Sequence, residues 1–280
     1  MGHFYSHSSL KLLDDCESCF YKKIVHGIDR PSYPTASITY GIDDRVADLF
    51  EKHRSAGTRP PHLAPINADL WPADDALAQA RKGIRWKGNL GNTLYGRLDQ
   101  IVLRLGKAEA LDLKTRKGAP NEKQVQEYHA RYTTQLNVYN YLLEKIGLAV
   151  GDSAHLLVLW PTEATDTSLA YETQLITIPT SRKYMNKLLT RAVELAGGPE
   201  PKPSPDCDWC SDRRAAVRAY RRAQQEEKAK PLKEPAPSQT ECQTTPSPPS
   251  DESSKKSTSK SSPPEPSAPS SGSLFPQLDL

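Results

Sequence analysis

Two aspartates and one lysine are spaced along this chain as metal-assisted chemistry would require. Asp112 and Lys114 lie in a stretch that alternates apolar and polar residues, and Asp99 lies in the alternating stretch before it. Strand side chains alternate between faces, so Asp112 and Lys114 point the same way, and a hairpin can bring Asp99 alongside. Paired carboxylates repel unless a cation lies between them, and their hard oxygens select Mg²⁺ or Mn²⁺. A lysine there can orient water and stabilise charge on a phosphate, which predicts phosphodiester hydrolysis.

Gln135 and Tyr139 follow this acidic pair on a segment with helical periodicity. Residues four apart share one face of a helix, so both side chains can reach the same site. They can hydrogen-bond to a phosphate or hold the lysine in place. Either residue alone could equally be ordinary helix surface. An Asp-x-Lys alone is common on solvated strands, so the catalytic interpretation depends on the whole set.

Four of the five cysteines form two Cys-x-x-Cys pairs, at Cys16 and Cys19 and at Cys207 and Cys210. In a reducing compartment this pattern indicates metal ligation rather than disulfides. Four thiolates can hold a structural Zn²⁺ or a 4Fe–4S cluster, and the spacing does not separate the two. Four free buried thiols are the alternative. The fifth cysteine, Cys242, lies in a polar segment and is expected to take no part.

Arginines are concentrated shortly after the second cysteine pair. The formal net charge of +3 is too small to indicate a binding partner, so the local concentration of arginines is more informative. A solvated helix face is the default interpretation, and phosphate contacts along DNA are the alternative. For the second interpretation we predict DNA binding by Arg213, Arg214 and Arg218.

The elements that must position these residues follow from hydrophobic periodicity. Four helices are predicted, and the longest is closed by Gly147 as a C-cap. The strands comprise a hairpin around Gly106 and a later pair. The predicted helices span residues 8–24, 37–55, 122–146 and 181–196, and the strands 94–105, 110–114, 155–160 and 172–178. This order is typical of an α/β sandwich. Residues 57–80 are predicted only to form a loop with a short helix.

The C-terminal part of the chain has a different composition. Pro, Ser, Thr, Lys and Glu dominate residues 231–273, which predicts disorder and leaves 1–230 for the folded domain. No apolar run is long enough to cross a membrane and no secretory signal is present, so a cytoplasmic protein is expected. Almost no apolar residue appears in residues 231–273, and several return together at 274–280.

In their order and spacing, Gly-x-x-Asp, Asp-x-Lys and Gln-x-x-x-Tyr resemble the motif series of RecB-like PD-(D/E)XK nucleases, the group that includes CRISPR adaptation nucleases and phage exonucleases. The segments around Ser8–Tyr21 and Asp206–Cys210 are similar to the ends of that domain. The resemblance implies a restriction-endonuclease-like core, with a central mixed sheet flanked by helices. It also implies Mg²⁺ or Mn²⁺ on Asp99 and Asp112, catalysis by Lys114, and support from Gln135 and Tyr139.

An acid or histidine on an early helix often completes such sites, and Asp43 is the best match here. By the same resemblance the cysteines would hold a 4Fe–4S cluster. Two features depart from the family pattern. Glu17 replaces a usual proline, and the cysteines are distributed two and two instead of one and three.

The last four residues, Gln277, Leu278, Asp279 and Leu280, resemble the peptide by which bacterial proteins dock on the DNA sliding clamp. The usual final phenylalanine is missing, and a chance match is the alternative. A short motif on a flexible tether would recruit the enzyme by raising its effective concentration.

These observations predict a metal-dependent deoxyribonuclease, either an exonuclease or a structure-dependent endonuclease, that acts in replication, repair or recombination. The alternative is a catalytically inactive DNA-binding or clamp-associated adaptor with the same fold. An RNA-directed nuclease is a third possibility, and would require contacts to the 2′-hydroxyl.

Overall fold

The computed structural model describes residues 2–31, 37–88 and 91–229, all of which belong to one compact unit. The side chains of Ser37 and of part of the last helix, including Arg214, are not among those described. The predictions for the Pro/Ser-rich segment, for Cys242 and for the terminal peptide concern residues outside these ranges.

Helices and strands alternate along the described chain. The α-helices are α1 His7–Asp15, α2 Glu17–His26, α3 Ser37–Ser55, α4 Asp75–Lys82, α5 Glu122–Lys145, α6 Arg182–Gly197 and α7 Asp208–Ala229, with a 3₁₀ helix at Pro61–Ile66. The strands are β1 Phe4–Ser6, β2 Asp69–Leu70, β3 Ile84–Lys87, β4 Thr93–Gly96, β5 Gln100–Arg104, β6 Lys107–Thr115, β7 Ser153–Ala164 and β8 Leu169–Pro179.

The strands form two sheets. The larger has the order β2-β5-β6-β7-β8, and the smaller has the order β1-β4-β3. In the larger sheet β6 and β7 are parallel and the other neighbours are antiparallel, so the sheet is mixed. The parallel pair requires a crossover, which the long helix α5 supplies. The predicted α/β class, with a mixed sheet flanked by helices, is therefore confirmed.

The two faces of the larger sheet bury separate hydrophobic clusters. On one face Ala110 and Leu156 join the cluster that includes Leu136 of α5. On the other, Leu111 and Leu113 pack with Phe50 of α3. Because side chains alternate along β6, Asp112 faces the same side as Ala110, toward α5. The hydrophobic pattern of this one strand thus decides which helix meets the aspartate.

Local signals fix both ends of α5. Asn121 accepts a hydrogen bond from the backbone of Gln124, whose side chain accepts one from the Asn121 backbone, forming a capping box. At the other end Gly147 has a φ of 94°, a conformation that favours glycine. The predicted helix 122–146 is confirmed to within one residue.

The hairpin between β5 and β6 is also confirmed. Its two turn residues, Leu105 and Gly106, have φ values of 50° and 73°. Positive φ at both positions suits a two-residue turn that follows the twist of the strands.

Two element predictions are wrong in their boundaries. The helix predicted over residues 8–24 is two helices, because Cys16 is extended and its amide closes α1 on the Leu12 carbonyl. The strand predicted over 94–105 is also two, because β4 and β5 belong to different sheets. Asp99 therefore lies in the bend before β5 and not on a strand. Within the described ranges, no helix combines the length and apolarity needed to span a bilayer.

Candidate active site and cysteine centre

Asp112 and Lys114 form the centre of the candidate active site. Both project from β6 toward α5, and Asp112 is only 2% exposed. The Lys114 ammonium forms an ion pair with Oδ2 of Asp112, and it lies 5.2 Å from the centre of the Tyr132 ring. Burial alone would lower the pKa of Lys114, but the carboxylate of Asp112, with smaller contributions from Tyr132 and Asp99, raises it overall. Lys114 is therefore held as a cation.

Helix α5 brings Gln135 and Tyr139 to the same carboxylate. The Gln135 amide donates to Oδ1 of Asp112 at 2.7 Å and lies 3.0 Å from the Tyr139 hydroxyl. Burial, with smaller contributions from Asp112 and Asp99, raises the pKa of Tyr139 well above its usual range. The tyrosine is thus a neutral hydroxyl that can donate a hydrogen bond.

Asp99 reaches the site from the bend before β5. Its Oδ2 accepts a hydrogen bond from the Leu113 amide at 2.9 Å, which places this carboxylate beside the residue between Asp112 and Lys114. Leu113 lies opposite no residue of β5, because the β5–β6 ladder runs only as far as Leu111. Its free amide is therefore available to anchor the aspartate.

The electrostatics of these acids suit a cation. Burial raises the pKa of Asp112 to about 7, Lys114 opposes the shift, and Asp99 and Asp43 reinforce it. Apart from its ion pair, Oδ2 of Asp112 has no hydrogen-bond partner, although it is buried. A buried carboxylate near two others becomes favourable when a hard divalent ion compensates its charge. Asp112 and Asp99 therefore fit the Mg²⁺ or Mn²⁺ that the sequence predicts.

Asp43 lies at the edge of this site, on α3. Burial and the neighbouring Asp99 raise the pKa of its carboxyl, while Lys114 opposes the shift. Its exposed neighbour Asp44 reinforces the shift from outside. Among the described residues, however, Asp43, Asp99 and Asp112 do not gather into one compact group of three ligand atoms. The structure thus brings Asp43 near the pair without placing it as a third ligand.

Two residues of the site were missed in the sequence. Tyr132 faces Lys114, and the His7 ring lies 5.7 Å from the Tyr139 ring. Burial and the charge of Lys114 lower the pKa of His7 to about 4. Tyr132 lies three residues before Gln135, so the helical stripe of α5 was a usable signal. For His7 the resemblance offered a signal, an acid or histidine on an early helix, but that place was given to Asp43; the packing of α1 against α5 is what brings His7 to the site.

All four predicted cysteine ligands meet at a second, separate centre. The Sγ atom of Cys19 lies 3.6 Å from that of Cys207 and 3.4 Å from that of Cys210, and Cys16 and Cys210 are 3.9 Å apart. All four thiols are buried. Among the described residues they are the group of His, Cys, Asp or Glu ligand atoms close enough to hold a metal ion, within 4.8 Å of one another.

Donors surround these sulfurs. The Arg30 guanidinium lies 3.6 Å from Sγ of Cys207, and the Ser204 amide lies 3.4 Å from Sγ of Cys16. Burial raises the pKa of Cys19 to about 12 even though Arg30 opposes the shift. Deprotonating all four thiols therefore requires a compensating cation.

The predicted DNA-binding arginines lie on α7, which begins beside the cysteine centre. Arg218 is exposed, and Arg213 is partly buried with an Nη1 atom that lacks a hydrogen-bond partner. The side chain of Arg214 is outside the described set. No hydrogen bond or ion pair among the described side chains connects Arg213 or Arg218 with the acidic site.

Comparison with protein families gives the assignment. The model of the PD-(D/E)XK nuclease superfamily matches residues 42–215, more than half of the chain. The chain belongs to this superfamily. The region that matches this PD-(D/E)XK model contains Asp43, Asp99, Asp112 and Lys114, but begins after the first cysteine pair. The RecB-like subgroup suggested by the motifs stays a prediction.

Other comparisons add little. No curated protein matches the chain. The crystal structure of SSO0001 is similar over 71% of this chain and 79% of that chain, with 15% identity and a TM-score of 0.28. A score this low carries no weight in assigning fold or activity.

Proposed function

We propose that this PD-(D/E)XK protein is a Mg²⁺- or Mn²⁺-dependent nuclease that hydrolyses phosphodiester bonds in DNA. The superfamily assignment supports a nuclease-like fold, and the proposal adds the reaction, the metal and the substrate. Exonuclease and structure-dependent endonuclease activities both suit the site. The roles below are assigned to residues that the fold brings together.

One observation carries the proposal. Asp112 is a buried carboxylate that contacts both a lysine and a glutamine, with Asp99 fixed beside it by the Leu113 amide. A site that only bound DNA would gain nothing from buried acids facing phosphates, because like charges repel. The same acids are useful when a divalent ion must be held against the scissile phosphate.

Asp112 and Asp99 would hold the metal. When bound, the ion would lower the pKa of a coordinated water and offset negative charge on the phosphate. Lys114, held as a cation, would orient the attacking water and stabilise the charge that develops on the phosphate oxygens. Its pKa is raised, which favours this electrostatic role over proton abstraction.

Gln135 and Tyr139 would position these groups. The Gln135 amide fixes the orientation of Asp112 from the side opposite Lys114, since each contacts a different carboxylate oxygen. Tyr139 stays neutral and supports Gln135. Hydrogen bonds of this kind hold a metal-binding carboxylate in the geometry that the ion needs.

A groove beside α5 offers a path for the nucleic acid. It has a volume of about 600 Å³, and Lys11, Arg131, Tyr132 and Gln135 line it together with the acids Asp15 and Glu127. Arg131 also lines an adjoining groove with Arg116, Lys117 and Tyr128. Basic side chains bind backbone phosphates, and tyrosine rings offer stacking surfaces for unpaired bases. The groove therefore favours a substrate with a single-stranded segment next to the cut.

The test is a cleavage assay on end-labelled single-stranded DNA, double-stranded DNA and RNA. Each substrate is incubated with protein that was purified anaerobically, in Mg²⁺, in Mn²⁺ or without added ions. The Lys114→Ala variant is assayed in parallel to exclude a contaminating nuclease. Lys107→Ala, at the exposed start of the same strand, is the matched control.

Cleavage of DNA that requires an added ion, is lost in Lys114→Ala and persists in Lys107→Ala would support the proposal. Preference for RNA would replace DNA as the substrate. No cleavage by folded protein under any condition would favour the DNA-binding adaptor instead.

A further inference from the structure

The cysteine centre lies apart from the acidic site and has its own geometry. Around a single Zn²⁺, bonds of about 2.3 Å and tetrahedral angles put the four sulfurs about 3.8 Å apart. Three of the six sulfur pairs here are separated by 3.4, 3.6 and 3.9 Å. All the remaining pairs lie within 4.8 Å. The sulfurs therefore enclose a space suited to one ion.

An iron–sulfur cluster would need more room. A 4Fe–4S cluster is several ångströms across, and each iron takes one thiolate on its outer side. The four cysteine sulfurs must then be much further apart than around a single ion. Widening this centre would mean moving Cys16 and Cys19 away from Cys207 and Cys210, although α2 and α6 are packed together beside them.

The surroundings suit the charge of a zinc tetrathiolate. Four thiolates exceed the charge of Zn²⁺ by two negative units, and that excess is buried with the sulfurs. The Arg30 guanidinium lies 3.6 Å from Sγ of Cys207 and forms an ion pair with Asp15. Its Nε is also buried and has no hydrogen-bond partner. The Ser204 backbone amide donates a hydrogen bond to Sγ of Cys16.

We propose that Cys16, Cys19, Cys207 and Cys210 bind one Zn²⁺ as a closed structural tetrathiolate, and that Arg30 is the positioning residue that balances its charge. The proposal does not depend on nuclease activity. It implies that the zinc ties the first two helices to the start of α7, closing a loop of nearly the whole domain.

The first test is the metal content of the full chain. The protein is produced with both iron and zinc in the medium, purified anaerobically and analysed for metals, acid-labile sulfide and visible absorption. We expect about one zinc per chain and no labile sulfide. Iron together with labile sulfide would overturn the proposal, and so would a folded chain without bound metal.

A thiol titration counts the ligands. In a Cys242→Ser background, all remaining thiols belong to the four proposed ligands. They should be unreactive in the native protein and become reactive as a chelator removes zinc. Four thiols that react freely while zinc remains bound would place the ion elsewhere and refute the assignment.

The role of Arg30 is tested by the rate of zinc transfer to a chromogenic chelator. We expect Arg30→Gln to release zinc about 10-fold faster, in the range found for outer residues of metal sites. Arg30→Lys, which keeps the charge, should fall in between. Arg45→Gln, at an exposed arginine paired with Asp48, is the control and should match the wild type. Equal rates for Arg30→Gln and wild type would refute the role of Arg30.

Discussion

At Asp112, burial and charge oppose each other. The carboxyl is almost completely buried, and burial raises its pKa to about 7 from an ordinary value of 3.8. The structure tolerates it because Lys114 and Gln135 contact its two oxygens. Burying the carboxylate costs free energy in the metal-free protein. A bound divalent ion would offset that cost, as expected of a metal ligand.

The raised pKa predicts a pH dependence of stability. Between about pH 4 and 7, the folded state keeps a proton on Asp112 that the unfolded state has lost, so this group stabilises the fold less as pH rises. Asp112→Asn removes that titration. We expect the variant to gain Tm relative to wild type between pH 5 and pH 8, by several degrees.

The measurement is thermal unfolding of both proteins without added divalent ions. His7 titrates in the opposite sense, because its pKa is lowered to about 4, so the difference between the two proteins is the informative quantity. Mn²⁺ should raise the Tm of wild type more at pH 8 than at pH 5, and should not do so for the variant. A Tm difference independent of pH would contradict the placement of Asp112.

Gln135 should act through Asp112. Replacing it with leucine keeps the approximate size but removes the hydrogen bond to Oδ1. We expect cleavage to fall by about 10- to 100-fold, mostly through weaker metal binding. The required Mn²⁺ concentration should therefore rise. Gln126→Leu, on the exposed face of the same helix, should leave both quantities unchanged. Equal metal requirements for the two variants would exclude the positioning role.

At the scale of elements, α5 is the part that connects the sheet to the site. Besides Gln135 and Tyr139, it carries Asn140, whose side chain accepts from the Ala110 amide and donates to the Ser153 carbonyl and the Thr180 hydroxyl. These bonds join β6, β7 and the start of α6 to one helical position. Asn140, the residue after Tyr139, therefore helps to set the register of α5 against Asp112.

Asn140→Ala should show this coupling. It leaves a buried amide of β6 without its acceptor, so we expect a loss of about 2 kcal/mol in the free energy of unfolding. Urea denaturation measures it. Asn186→Ala, at an exposed position on α6, is the control and should lower the free energy of unfolding by less than half as much. Equal losses would mean that the hydrogen bonds of Asn140 add nothing to the stability of the fold.

At the scale of the whole molecule, the larger sheet has the acidic site on one face and a hydrophobic cluster on the other. One face carries Asp112, Lys114 and α5, and the other packs Phe50 and Leu111 under α3, which contributes only Asp43 at the edge of the site. Two buried polar side chains also connect β6 with β7: Nε2 of His155 lies 2.8 Å from Oε2 of Glu109, within hydrogen-bond distance. Nothing in the sequence marked that pair, because its partners are 46 residues apart and neither belongs to a motif.

Because the two faces are separate, a substitution in the cluster under α3 should affect stability more than cleavage. Phe50→Leu should lower the free energy of unfolding by about 1 kcal/mol through poorer packing. Cleavage per folded molecule should stay within about twofold of wild type, because Phe50 is on the face opposite Asp112. Thermal unfolding and initial rates at a temperature well below the Tm measure both quantities. A large loss of activity without loss of stability would contradict the separation.

Local signals in the sequence predicted much of this fold. Alternation placed β6 and its hairpin, and the 3.6-residue period with Gly147 bounded α5. The errors fall where tertiary structure overrides local pattern. Cys16 breaks a helix because its sulfur belongs to the cysteine centre, and Asp99 leaves the strand because the chain passes between two sheets there. The resemblance allowed an early-helix histidine at the site, but only the packing of α1 against α5 distinguishes His7 from Asp43 for that place.

The most direct test of the central claim is the cleavage rate of Asp112→Asn in saturating Mg²⁺ under single-turnover conditions. Asp166→Asn, at an exposed acid in the loop after β7, is the matched control. We expect at least about a hundredfold loss for Asp112→Asn, with the fold intact and the control unaffected. Cleavage by Asp112→Asn at the wild-type rate would contradict this expectation and remove the acidic site from the reaction.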